Sequence, residues 1–133
     1  MKLRIGIIAP REAPLHSGNR VTAARWRRVL SELGHEAHVR FGDAAERFDM
    51  LVVLHARKGA EAARAFRERY PEKPLVVALT GTDIYGEVDS AREVHRTLER
   101  ADYLIALQPT ALERLRPQLR AKAHVIYQSV APL

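Results

Sequence analysis

The sequence predicts an α/β fold: a three-layer, doubly wound, mostly parallel sheet of about six strands, Rossmann-like in arrangement. Three observations predict it. Short apolar runs rich in branched residues recur, as at 3–9, 50–55 and 75–79. Stretches with apolar residues at helical spacing lie between them. The two kinds alternate along the chain, as β-α-β units do when their strands are buried on both faces.

Each element has its own justification. Leu3 to Ala9 is the first strand, and Pro10 to Gly18 is a turn-rich loop. A helix fits Arg20 to Leu33, with Asn19 as its N-cap and Gly34 as its stop. Its expected buried face is Thr22, Trp26, Val29, Leu30 and Leu33. Glu36 to Phe41 is a second strand, and Gly42 to Asp49 is polar and irregular. Met50 to His55 is a third strand. Ala60 to Tyr70 fits a helix burying Ala62, Ala63, Phe66 and Tyr70, ended by Pro71. Leu75 to Leu79 is a fourth strand, followed by a loop over Thr80 to Glu87. Ser90 and Glu93 have capping-box spacing, and the next helix is expected to bury Ala91, Val94, Leu98 and Ala101. Tyr103 to Leu107 is a fifth strand, Pro109 opens a short helix through Leu112 and Leu115, and Val125 to Tyr127 is a sixth strand.

Composition bounds the function. A chain of 133 residues suits one domain, 1–133. With 47% hydrophobic and 29% charged residues it has the balance of a folded domain, not of a disordered one. No apolar run approaches the ~18 residues of a membrane span. Arg4 and Gly6 interrupt the N-terminal apolar stretch, so no signal peptide is expected and the chain reads as cytoplasmic. With 0 cysteines, disulfide frameworks, thiolate zinc sites and cysteine nucleophiles are excluded. No metal-ligand spacing occurs among His16, His35, His38, His55, His95 and His124, so no metal is expected.

The net charge is +6. A basic domain invites a nucleic-acid reading. Its arginines, however, lie beside acids on predicted helices: Arg64, Arg67 and Arg69 with Glu61 and Glu68, and Arg92, Arg96 and Arg100 with Glu93 and Glu99. Such spacings make solvated faces with i,i+3 and i,i+4 pairs. No aromatic-basic stacking motif is present, so no nucleic-acid partner is expected.

Doubly wound sheets bind ligands beyond the carboxyl ends of their strands. Three common families are excluded at those exits. The first strand leaves through Ala9-Pro10-Arg11-Glu12-Ala13-Pro14, without the Gly-x-Gly-x-x-Gly of a dinucleotide site. The first helix opens Gly18-Asn19-Arg20-Val21-Thr22, without the lysine of a P-loop. The third strand ends in His55, where a receiver domain has aspartate.

Other exits carry candidate chemistry. Gly18, Asn19 and Arg20 open a helix whose free N–H groups suit an anion, and Arg20 offers a two-pronged phosphate contact. The alternative is a plain Asn cap beside a surface arginine. His55 with Arg57 and Lys58 makes a cationic mouth, or a capping histidine beside ordinary surface charge. Thr80, Gly81, Thr82, Asp83 and Tyr85 suit sugar hydroxyls, or a turn capped by Asp83. Gln108, Gln128 and Ser129 place polar groups at the same edge, as ligand contacts or caps.

These residues resemble the N-terminal, acceptor-side domain of GT-B glycosyltransferases. The carriers are the first strand, the loop into Asn19-Arg20, the His55 exit and Leu79-Thr80-Gly81-Thr82-Asp83. Many members have His-Gly-Thr-Asp where this chain has Thr80-Gly81-Thr82-Asp83, so a role held by that histidine does not carry over to Thr80. More narrowly, Gly18 to Thr22, His55 to Lys58, Leu79 to Tyr85, Leu107 to Pro109 and Gln128 to Val130 look like the selenosugar synthases of selenoneine biosynthesis. The resemblance covers nearly the whole chain.

It implies transfer of a sugar, N-acetylglucosamine, from a UDP-sugar donor to selenophosphate, giving a selenosugar. It implies no cofactor beyond the donor substrate. It places Asp83 and His55 in the catalytic position, as positioning groups. Gly18, Asn19, Arg20, Arg57, Thr80, Gly81, Thr82, Tyr85, Gln108, Gln128 and Ser129 are then substrate contacts. A donor-binding second domain is expected downstream, and the isolated 133-residue chain is expected to be inactive. The alternative is a stand-alone, non-catalytic domain that binds a small anion or nucleotide sugar.

Overall fold

The computed structural model describes residues 1–10, 18–42, 46–79, 91–107 and 109–126. The strands are β1 (Arg4–Ala9), β2 (Glu36–Phe41), β3 (Met50–Leu54), β4 (Leu75–Leu79), β5 (Tyr103–Ala106) and β6 (Ala123–Val125). The helices are α1 (Gly18–Glu32), α2 (Ala60–Arg69), α3 (Ala91–Arg100) and α4 (Pro117–Arg120), with a 3₁₀ segment at Pro109–Arg114. The six strands form one all-parallel sheet in the order β2-β1-β3-β4-β5-β6. The predicted doubly wound α/β architecture is therefore observed.

Strand order decides which face each helix covers. The chain moves from β1 outward to β2, returns across the sheet, and steps from β3 to β6 in the opposite direction. Right-handed crossovers then put α1 on one face and α2, α3 and α4 on the other. Two cores result. On the α2–α3 face, Ile8, Leu51, Val53, Leu75, Val77 and Leu104 meet Ala62, Ala63, Phe66, Val94 and Leu98. On the α1 face, Ile5, Ile7, Val52, Leu54, Val76 and Ala78 meet Ala23, with Trp26 and Leu30 partly buried against them.

Several boundaries and faces differ from the sequence reading. The first helix begins at Gly18, so Asn19 is a helical residue and not its N-cap. Thr22 is buried in that helix, but Val29 is exposed, because α1 packs on β1 and β2 and Val29 lines an open groove beside it, and Leu33 is exposed past the helix end. β3 ends at Leu54, one residue before His55. β6 runs over Ala123–Val125, two residues earlier than expected, in register with Leu104–Ala106. The short helix after β5 divides into the 3₁₀ segment and α4.

The segment expected to be merely polar supplies a core residue. Phe48 is 1% exposed. The amide of Arg4 donates to Oδ2 of Asp49 at 2.8 Å, and the amide of Asp49 donates to the Arg4 carbonyl at 2.7 Å. Glu46 joins the guanidinium groups of Arg4, at 3.0 Å, and Arg40, at 2.5 Å. These bonds clamp the segment along β1 and turn Phe48 onto Gly6, where an added Cβ would lie 2.5 Å from the ring.

Candidate functional site at the switch point of the sheet

In a doubly wound sheet, the crevice opens where neighbouring strands send their chains to opposite sides. Here that place is between β1 and β3. α1 follows β1, and α2 follows β3. All strands being parallel, β1, β3, β4, β5 and β6 end at the same edge, at Ala9, Leu54, Leu79, Ala106 and Val125.

Gly18, Asn19 and Arg20 form the first turn of α1. Gly18 is exposed, and Asn19 and Arg20 are half-buried. No acidic residue occupies this turn, so the positive end of the helix dipole is not neutralised from within. The guanidinium carbon of Arg20 sits 4.1 Å from the centroid of the Phe41 ring. Phe41 closes β2 in register with Ala9, which brings it to the crevice edge. The following Gly42 has φ of 75° and donates its amide to the Ala9 carbonyl at 3.1 Å. This turn aims the ring beneath the arginine. Stacking on an aromatic face narrows the range of a long, flexible side chain.

His55 is the most constrained residue of the edge. It is 1% exposed, and its φ is 80°. A residue other than glycine in this region costs about 1–2 kcal/mol of backbone strain. At least three hydrogen bonds hold it. Its amide donates to the Ala78 carbonyl at 3.1 Å, which extends the β3–β4 ladder by one rung. Its carbonyl accepts from the Gly59 amide at 2.9 Å. Its ring Nδ1 accepts from the Lys58 amide at 3.1 Å. With Nδ1 an acceptor, the neutral ring carries its proton on Nε2.

The turn that makes this possible is tightly packed. A Cβ on Gly59 would lie 2.2 Å from Cγ1 of Val53 and 2.8 Å from the His55 carbonyl oxygen. Ala56 is fully buried beside it, while Arg57 and Lys58 are exposed. The capping reading of His55 is observed: its ring Nδ1 accepts the Lys58 amide of the turn that follows.

The structure brings Gly18, Asn19, Arg20, His55 and Arg57 to the C-terminal edges of the adjacent strands β1 and β3. Thr80, Gly81, Thr82, Asp83, Tyr85, Gln108, Gln128 and Ser129 lie outside the described residues. Sequence reasoning missed Phe41 and Gly59. The signal for Phe41 was its place at the end of the strand beside β1. The signal for Gly59 was a lone glycine between a strand-exit histidine and a helix start.

Other charged groups are structural. Arg64 pairs with Glu61 and Glu68 on its own helix, as the spacing implied. Arg67 does not. Its guanidinium crosses to Asp102 at 2.6 Å and to the Arg100 carbonyl at 2.7 Å. Among the described residues, no three His, Asp or Glu side chains gather as a metal site, and no helix is long and apolar enough to cross a membrane. No protein-family model matches the chain, and no curated protein sequence is significantly similar to it.

Proposed function

We propose that this chain is the acceptor-side half of a GT-B sugar transferase that moves a sugar, N-acetylglucosamine, from a UDP-sugar to a small anionic acceptor, selenophosphate. The observation that carries the reading is the switch-point crevice, with Arg20 held on Phe41 at one side and the strained, tautomer-fixed His55 at the other. The Gly18 to Thr22, His55 to Lys58 and Thr80 to Tyr85 segments add the motif resemblance.

The chemistry follows from charge. The selenium of selenophosphate is already a nucleophile, so no strong base is required. It attacks the anomeric carbon and forms a Se–C bond. The C–O bond to the diphosphate breaks and its electron pair leaves with UDP; the phosphoryl group stays on selenium until water cleaves the Se–P bond, releasing phosphate and the selenosugar. Arg20, Arg57 and the N-terminus of α1 stabilise anionic oxygen in this step, as preorganised donors do. His55 donates from Nε2 and positions the acceptor. Asp83 serves as the second positioning group, toward sugar hydroxyls.

The test is product formation by the full-length reading frame with several UDP-sugars, with and without selenophosphate. Selenosugar should form only when selenophosphate and both halves are present. Turnover by residues 1–133 alone, or release of UDP at the same rate without acceptor, overturns the proposal. Tight binding of phosphate or UDP by a chain with no second half encoded favours the non-catalytic binding domain instead.

A further inference from the structure

Several arginines away from the crevice are used by the fold. Arg4 and Arg40 hold Glu46, Arg64 pairs with Glu61 and Glu68, and Arg67 reaches Asp102. α3 is different. Arg92, Arg96 and Arg100 recur at i, i+4 and i+8, which sets them in a row along one face of the helix. Their spacing to Glu93 and Glu99 predicts ion pairs. These pairs do not form. Glu99 pairs with His95 at 2.7 Å, and among the described residues the three guanidinium groups make no ion pair or hydrogen bond. Like charges at i,i+4 destabilise a helix. The row therefore works against the fold and gains no contact from it, as residues kept for a ligand do.

The row lines a polar groove of about 400 Å³ between α2 and α3. Ala60, Glu61 and Arg64 form its α2 wall, and Glu93 stands with the three arginines on the α3 wall. The volume suits a small ligand. Arg64 is committed to Glu61. Its hydrogen bond holds the Glu61 carboxyl below the usual carboxylate range against a lesser effect of burial, and the charge of Arg100 adds to this. Of the other charges lining the groove, three are guanidinium groups and one, Glu93, is a carboxylate. Arg92, Arg96 and Glu93 are exposed, and Arg100 is half-buried.

Geometry indicates which anion fits. A helix rises 1.5 Å per residue, so the row extends over about 12 Å, with one guanidinium about every 6 Å. A single phosphate cannot meet all three. A chain of phosphates can, and each guanidinium fork matches a pair of phosphate oxygens. All the described lining residues except Ala60 are charged, so the groove offers charge and hydrogen bonds without a stacking surface for a nucleic-acid base. We propose that the α2–α3 groove binds a short linear oligophosphate. The site is separate from the switch-point crevice, since α2 and α3 cover the face of the sheet opposite α1 and Arg20.

The test is calorimetric titration of the 133-residue chain with inorganic tripolyphosphate and with orthophosphate at physiological ionic strength. Tripolyphosphate should bind saturably and about tenfold or more tighter than orthophosphate. Arg92→Ala and Arg96→Ala, both at exposed positions, should each weaken it about tenfold with the far-UV circular dichroism unchanged. Glu93→Gln, which removes the opposing carboxylate, should tighten it. Arg20→Ala, and Arg69→Ala at an exposed arginine outside the groove, should leave it within about twofold. Equal affinity for the two phosphates, unchanged binding by Arg96→Ala, or losses from Arg69→Ala or Arg20→Ala as large as those from Arg96→Ala overturn the proposal. So does tighter binding of a single-stranded oligothymidylate or a polyglutamate peptide that Arg96→Ala abolishes, which would assign the groove to nucleic acid or to an acidic protein.

Discussion

The backbone N–H of Lys58 donates to Nδ1 of His55 at 3.1 Å, so the turn after β3 holds its own histidine in one tautomer. Long-range ¹H–¹⁵N spectra at neutral pH should therefore show His55 protonated on Nε2. An Nδ1–H ring would remove the donor role assigned to it. His55→Asn should keep the fold, because asparagine tolerates left-handed backbone better than most residues. Transfer by the full-length protein should fall about tenfold or more. Unchanged transfer would exclude His55 from the site.

Glycine positions separate steric from functional demands. Gly59→Ala drives a methyl group into Val53 and the His55 carbonyl, and Gly6→Ala drives one into the Phe48 ring. Each should cost about 1–3 kcal/mol by denaturant unfolding. A Cβ on Gly18 meets nothing within 4 Å among the described residues. Gly18→Ala should hold stability within about 0.5 kcal/mol, so any loss of transfer would reflect ligand approach. A large destabilisation by Gly18→Ala would contradict this placement.

Arg20 and Phe41 should act together. Arg20→Ala is expected to reduce transfer about tenfold or more. Phe41→Ala should cause a smaller loss by freeing the guanidinium from its ring. Arg96 is exposed on α3, away from the switch point, and Arg96→Ala should leave transfer within about twofold. Equal losses from Arg20→Ala and Arg96→Ala would count against the site.

Acid stability should report on Asp102. Burial raises the pKa of its carboxyl, but the Arg67 hydrogen bond, the Leu75 amide and the charges of Arg67 and Lys122 outweigh this and hold it below the usual range. A folded-state value below the unfolded one, about 3.9, adds stability that is present above pH ~4 and lost as pH falls through the folded value. The carboxylate is partly exposed, so after solvent screening Asp102→Asn should cost about 1 kcal/mol at neutral pH. That difference should shrink as pH drops below about 4. A constant difference down to the acid limit would show that charge plays no part.

The architecture was legible because buried parallel strands must be apolar on both faces. Runs such as Leu51 to Leu54 and Leu75 to Leu79 betray themselves without any partner in view. The buried faces of α2 and α3 were equally plain in Ala62, Phe66, Val94 and Leu98, since each helix packs centrally over its strands. Val29 and Leu33 misled for the converse reason. Periodicity marks an apolar stripe, but only the packing of neighbouring elements decides whether that stripe is covered. Phe48 escaped notice because its burial depends on Arg4 and Asp49, 45 residues apart in sequence and joined across β1.

By itself, then, the sequence determined the layers, the strand count and the edge at which His55 and Arg20 emerge. Those follow from local hydropathy and from the direction every strand of a parallel sheet shares. Tertiary structure alone decided that β1 and β3 are neighbours, that Arg20 rests on Phe41, that the His55 ring accepts from the Lys58 amide, and that, among the described residues, α1 alone packs on one face of the sheet. Each of these depends on which distant segments meet, and pairing between distant segments is set by packing, not by the residues on either side.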